Sequence, residues 1–171
     1  MECPSCAIVP NTHSFIKFGK IGETTYFYSS PARAKNYEKD AVRLANFKMH
    51  LNSANSGKWI WILDLTGTGS SDFTSVNFNM GLASTIVRDY SVSLQEIWLI
   101  NLNTWATPIV SMMKKLFNHK LFNTMQIINS SGLELYMDIK KLGLSGPPLI
   151  WLNKTLTTKT DMPLQEPHPI S

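Results

Sequence analysis

Two runs of the chain are apolar almost without interruption: Trp59-Ile60-Trp61-Ile62-Leu63-Asp64 and Glu96-Ile97-Trp98-Leu99-Ile100-Asn101. Both are rich in β-branched and aromatic residues, which suits parallel strands covered on both faces. Between them Val76, Met80, Ala83, Val87 and Tyr90 recur at spacings of three and four. That period predicts a helix over Asp72–Tyr90, with Asp72 as its cap. A helix is also the crossover that two parallel strands require. A βαβ unit is therefore the expected centre of the fold.

The pattern extends both ways. Phe15–Phe18 and Thr24–Tyr28 are short β-like runs around a glycine turn at 19–22, the signal of a hairpin. Ser30-Pro31 reads as a helix start. Tyr37, Ala41, Leu44, Phe47 and Leu51 then give that helix, Pro31–Asn52, one apolar face. After the second core strand, Thr107-Pro108 opens a helix that reaches back to Trp105 and on to Phe117. A short helical turn at 120–123 leads to a third strand over Met125–Asn129. Ser130 or Ser131 caps a further helix carrying Leu135, Ile139 and Leu142. Gly143, Gly146, Pro147 and Pro148 break it, and Leu149–Leu152 reads as a last short strand. The whole predicts an α/β fold with an open, mainly parallel sheet. Residues 1–14 are expected to form a flexible N-terminus, 15–153 one domain, and 154–171 a loose, proline-rich tail.

Composition narrows the class. In 171 residues, 43% are hydrophobic and 16% charged, which describes a globular domain with a real core rather than a disordered chain. The net charge of +4 is spread along the sequence, with no polybasic block, so it alone supports a nucleotide- or nucleic-acid-binding reading only weakly. No apolar run approaches the ~20 residues of a membrane span. The first residues lack the hydrophobic stretch of a secretory leader, and the expected compartment is the cytosol.

Candidate chemistry is sparse. Gly67-Thr68-Gly69 follows a strand, but the third glycine of a dinucleotide fingerprint would fall where Asp72 stands, and no P-loop lysine follows. Asp64 ends a strand where open sheets place reactive groups, yet stands alone; tying down the next loop is its expected role. His13, His50, His119 and His168 are scattered, none beside a nucleophile motif. Cys3 and Cys6, as Cys-Pro-Ser-Cys, have the spacing of a redox pair or half a zinc site. A zinc site would need two more ligands, for which His13 and His50 are the plausible donors. The expected state is instead two exposed thiols on a flexible end, with no metal, no cofactor and no catalysis.

The helix at 105–117 stands out. Trp105, Ile109, Met112 and Leu116 form a stripe that Met113 and Phe117 widen, and Lys114 and Lys115 flank it. Such a stripe ordinarily packs a core. Methionines and flanking lysines also suit an adaptable apolar surface that meets anionic lipid.

At this point the residues resemble a family. Trp59-Ile60-Trp61-Ile62-Leu63-Asp64-Leu65-Thr66-Gly67 is similar to the strand-Asp-x-x-Gly segment of CRAL-TRIO lipid-binding domains. Tyr90 to Asn101 resembles the family's tyrosine-led loop and strand ending in Ile-Asn. Trp105 to Leu116 takes the place of its gate helix, and Lys120 to Ile128 of its short turn and next strand. Leu142-Gly143-Leu144-Ser145-Gly146 echoes its closing Leu-Pro-x-x-x-Gly-Gly. The resemblance covers roughly residues 20–150. It implies an apolar pocket under a mobile gate helix, holding a lipid or other hydrophobic small molecule, without catalysis and with peripheral contact to anionic membrane. The implied lining is Trp98 and Ile100 from the strand, and Trp105, Ile109, Met112, Met113, Leu116 and Phe117 from the helix. The departures are specific. Ser91-Val92 replaces the usual Pro-Glu, and about Thr124 stands where inositol-lipid binders place a lysine. Only about thirty residues replace the helical N-terminal lobe. The rival reading is a protein-interaction module whose pocket is filled by Trp61, Trp98 and Trp105.

Overall fold

The computed structural model describes residues 3–35, 39–69, 75–104, 106–116, 125–158 and 167. A five-stranded sheet forms the centre, with strands β1 (Phe15–Ile21), β2 (Thr24–Ser29), β3 (Trp59–Asp64), β4 (Leu94–Ile100) and β5 (Met125–Ile128) side by side in chain order. β1 and β2 pair antiparallel as the expected hairpin. β2, β3, β4 and β5 are all parallel. The helices are α1 (Pro4–Ile8), α2 (Asp40–Ala54), α3 (Val76–Thr85), α4 (Thr107–Leu116), α5 (Gly132–Lys141) and α6 (Gly146–Thr157). Among the described residues no helix is long and apolar enough to cross a membrane.

Strand alternation splits the core in two. Phe27, Trp59, Trp61, Ile97 and Leu99 face α2, α3 and α4, where Phe47, Leu51, Phe78, Ile86 and Val110 meet them. Tyr26, Tyr28, Ile60, Ile62, Trp98 and Ile100 face the other way, onto Leu135 and Ile139 of α5 and Leu149 and Leu152 of α6. The three crossover helices thus share one face, as same-handed connections between successive neighbouring strands demand. The C-terminal helices close the other.

Several expectations need correction. No helix runs through Pro31–Asn52: a single 3-10 turn, Pro31–Arg33, precedes α2. The Lys35 N–H donates to the Thr12 carbonyl (2.8 Å), and Arg33 Nη2 donates to the carbonyls of Thr155 and Thr158 at the end of α6 (3.2 and 2.7 Å). Those bonds hold the segment extended, and a cation at a helix C-terminus is favourable. Tyr37 lies outside the described residues. The crossover helix starts at Val76, capped by the Ser75 hydroxyl, which accepts from the Phe78 N–H; it ends in a π turn, Ile86–Tyr90. Asp72 lies outside the described residues, as does the expected turn at 120–123. Leu149–Leu152 is helix, not strand. Pro147 and Pro148 occupy the first turn of α6, where proline starts a helix instead of breaking one. The tail is accordingly ordered to Thr157. Nor are the thiols exposed on a flexible end: α1 is helical, and Cys3 is 4% exposed.

α6 is seated on the sheet through a close approach. A Cβ on Gly19 would lie 2.4 Å from Pro148 Cγ, so only glycine lets β1 and α6 meet here. Beside it Phe18 stacks on Trp151, with ring centroids 4.8 Å apart.

Candidate functional site

Both features that the sequence singles out, the Asp64 loop and the helix at 105–117, lie past the carboxyl ends of the parallel strands. Asp64 is buried and acts as an anchor. Tyr28 Oη donates to Asp64 Oδ2 (2.6 Å), and the Thr66 N–H and hydroxyl donate to Oδ1 (2.9 and 2.5 Å). Asn101 Nδ2 donates to Thr66 Oγ1 (2.7 Å), and Asn103 Nδ2 to Thr68 Oγ1 (2.7 Å). The Asp-x-x-Gly segment is therefore a loop tied across β3 and β4, and Gly67 supplies the left-handed conformation (φ 71°) its turn needs. With its oxygens committed to these donors, Asp64 has the loop-fixing role expected of it.

Burial, with the negative Asp64 beside it, pushes the Tyr28 hydroxyl well above its ordinary pKa of 10.0. The unfolded chain ionises near that value while the folded one stays neutral, so this group's contribution is complete below pH 10 and falls as pH rises beyond it. We expect Tyr28→Phe to lower stability by about 1–3 kcal/mol at neutral pH, since Asp64 loses a buried donor. The variant should also lose stability less steeply above pH 10; urea unfolding at pH 7 and pH 11 checks both. An unchanged alkaline slope would show that Tyr28 is not the group responsible.

The two sheet faces differ at this end. On the α5/α6 face Ile62, Trp98 and Ile100 are completely buried. On the α4 face one cross-strand row runs Leu63, Leu99, Ile127. Leu63 is only partly buried although strands flank it on both sides, and Ile127 is 44% exposed. Leu102 and Met125 on this face are also only partly buried. The crossover face thus leaves Leu63 and Ile127 incompletely covered, with Leu99 between them buried (1% exposed). Leu63 and Ile127 lie toward the carboxyl ends of their strands, where open α/β sheets take ligands.

α4 packs on that same face through Val110, with Ala106 buried just before it; Thr107, Pro108, Ser111 and Lys115 are exposed. The Asn103 side chain accepts from the Ala106 N–H (3.0 Å) and so fixes the start of the helix. Of the residues expected to line a pocket, Trp98 and Ile100 lie on the opposite face of the sheet from Val110, and the structure does not bring them together with α4. Trp105 and Phe117 lie outside the described residues, as do the side chains of Ile109, Met112, Met113 and Leu116. Leu63, Met125, Ile127 and Val110 were not anticipated. Strands apolar at every position carry no parity signal to say which side is the floor.

The arrangement defines an α/β domain with an open parallel sheet and an apolar floor beside a helix at its carboxyl edge. The family model of the CRAL/TRIO domain matches residues 17–143, and the chain belongs to that family. The family is one of lipophilic-ligand binders. In fold the chain is similar to the crystal structure of Sfh5, with a TM-score of 0.56 at 10% identity. That match covers 71% of this chain and 50% of the other, so the chain spans about half the length of that structure. No curated protein matches the chain in sequence.

Proposed function

We propose that this domain binds or transfers a lipophilic small molecule without catalysis, held between α4 and the α4-facing floor of the sheet. The observation that carries this is the uneven covering of the two faces: one sealed, the other leaving Leu63 partly buried and Ile127 exposed. Family membership supports the ligand class. In this reading Leu63, Leu99, Met125 and Ile127 form the floor. The apolar positions of the helix, Ile109, Met112, Met113 and Leu116, with Trp105 and Phe117 at its ends, form the movable wall. Trp98 and Ile100 support the floor from behind. Lys114 and Lys115 meet anionic headgroups as the wall opens, in keeping with a cytosolic protein that touches membranes transiently.

The ligand is of low polarity. Burying roughly 300 Å² of lipid chain contributes ~7 kcal/mol before ordering costs. The charged residues that the family's inositol-lipid binders use are replaced: Val92 is 85% exposed, and Thr124 lies outside the described residues. Each missing charged hydrogen bond to a buried headgroup weakens binding by about 1.5–3 kcal/mol. Native mass spectrometry of the purified chain, before and after incubation with vesicles, tests this. The expected result is an adduct of one lipid mass, formed more readily from neutral lipid than from phosphatidylinositol. Preference for phosphatidylinositol would overturn the ligand class. Folded protein that never carries lipid would favour a protein-interaction module.

A further inference from the structure

We propose that Cys3, Cys6, His13 and His50 form a structural zinc site that fastens the N-terminal segment to α2. These four residues are dispersed over 48 positions, yet their ligand atoms all lie within 4.8 Å of one another. Cys6 Sγ is 3.4 Å from His50 Nε2, and the rings of His13 and His50 are 5.3 Å apart by centroid. A tetrahedral zinc with Zn–S near 2.3 Å and Zn–N near 2.0–2.1 Å holds its donors about 3.3–3.8 Å from each other. The cluster is therefore close to closing around an ion, with only small side-chain adjustments. Two sulfurs and two imidazole nitrogens in such a tetrahedron select zinc. Four protein donors leave no open position, which is the arrangement of a structural rather than a catalytic site.

The fold builds the cluster from three pieces. Cys3 caps α1 and Cys6 lies one turn on, so their sulfurs share a face; Pro4 starts the turn between them. The chain then doubles back at 9–14, with Asn11 and Ser14 in the left-handed region (φ 60° and 49°), and this returns His13 to the cysteines. Non-glycine residues are uncommon there, and something must hold them. His50 comes from α2, which Asn46 ties to α1 through a 2.9 Å bond from Nδ2 to Ser5 Oγ. Phe15 and Phe47 pack around the two imidazoles. Cys3 and His13 are buried and the other two partly so. A neutral imidazole offers its lone pair to a metal. Both thiols give up a proton to solvent as zinc binds. Two thiolates and Zn²⁺ then sum to zero charge, which suits a site with apolar walls.

The full chain, purified without chelator, should carry about one zinc per molecule by elemental analysis. Cobalt added to the metal-stripped protein should give the intense visible bands and sulfur charge-transfer absorption of a tetrahedral thiolate complex. Cys3→Ser with Cys6→Ser should reduce zinc to background. Chelation should lower the melting temperature of the wild type but not of that variant. If the variant does not fold, the cobalt spectrum of the wild type still decides. Folded wild type with no zinc and the pale spectrum of aqueous cobalt would overturn the proposal. So would a Cys3–Cys6 disulfide in reducing buffer, or zinc retained by the double variant.

Discussion

Trp98→Ala should lower the unfolding free energy by about 3–5 kcal/mol, the range for truncating a fully buried aromatic. Trp98 has no exposure, lies beside the Tyr26 ring at 6.0 Å, and donates from Nε1 to Glu96 Oε2 at 2.6 Å. The substitution opens a cavity against the α5/α6 layer and strips Glu96 of that donor. Urea denaturation with a midpoint and slope reads the effect directly. The size matters because it separates two roles. A tryptophan lining a ligand cavity can be cut back at a smaller cost, since the space it leaves joins one already there. A loss below about 1 kcal/mol would return Trp98 to the ligand.

Met113→Asp is expected to abolish lipid loading while leaving the unfolding free energy within about 1 kcal/mol of wild type, the usual range for a substitution outside a packed core. Met113 lies in α4, three residues after Val110, the residue through which that helix packs on the sheet. In a movable wall the carboxylate reaches water when the helix lifts and repels the lipid when it closes. If α4 is instead ordinary core, the charge is trapped without a partner, and such burial costs about 3–5 kcal/mol. Thermal melting run beside native mass spectrometry distinguishes these. A collapsed melting temperature supports a filled pocket and an interaction module, and a near-normal one with lost lipid supports the wall.

The parts legible in sequence were those whose signal is local. Trp59–Leu63 and Ile97–Ile100 are legible by continuous apolar character, the β1–β2 hairpin by its glycine turn, and α5 by the spacing of Leu135 and Ile139. Misreadings arose where a local cue has two meanings. Prolines 147 and 148 read as breakers and are the first turn of a helix. Ser30-Pro31 read as the start of a long helix, but bonds from residues far along the chain, at Thr12, Thr155 and Thr158, end the turn at once. The face of the sheet that α4 covers was invisible for another reason: Ile97 to Ile100 are all apolar, so either parity looked equally fit for a floor. Handedness of the crossovers was the cue that could have assigned it. The Cys-His cluster was half visible. Cys-x-x-Cys is a recognisable spacing, but nothing in the interval from Cys6 to His13 to His50 tells that a chain reversal and a helix will converge.

Sheet order that follows chain order has a consequence for how the molecule comes into being. Each strand pairs with the one made just before it, so the loops closed by strand pairing are no longer than one crossover. The two faces do not mature together. Each crossover helix arrives between the strands it spans, whereas Ile60, Ile62, Trp98 and Ile100 must wait for α5 and α6 at the far end of the chain. During synthesis a sheet with one finished side presents its other side bare to the surrounding solution. The last helices therefore act as a lid on an adhesive surface, and a chain stopped before Gly132 would expose the kind of broad apolar patch that drives association.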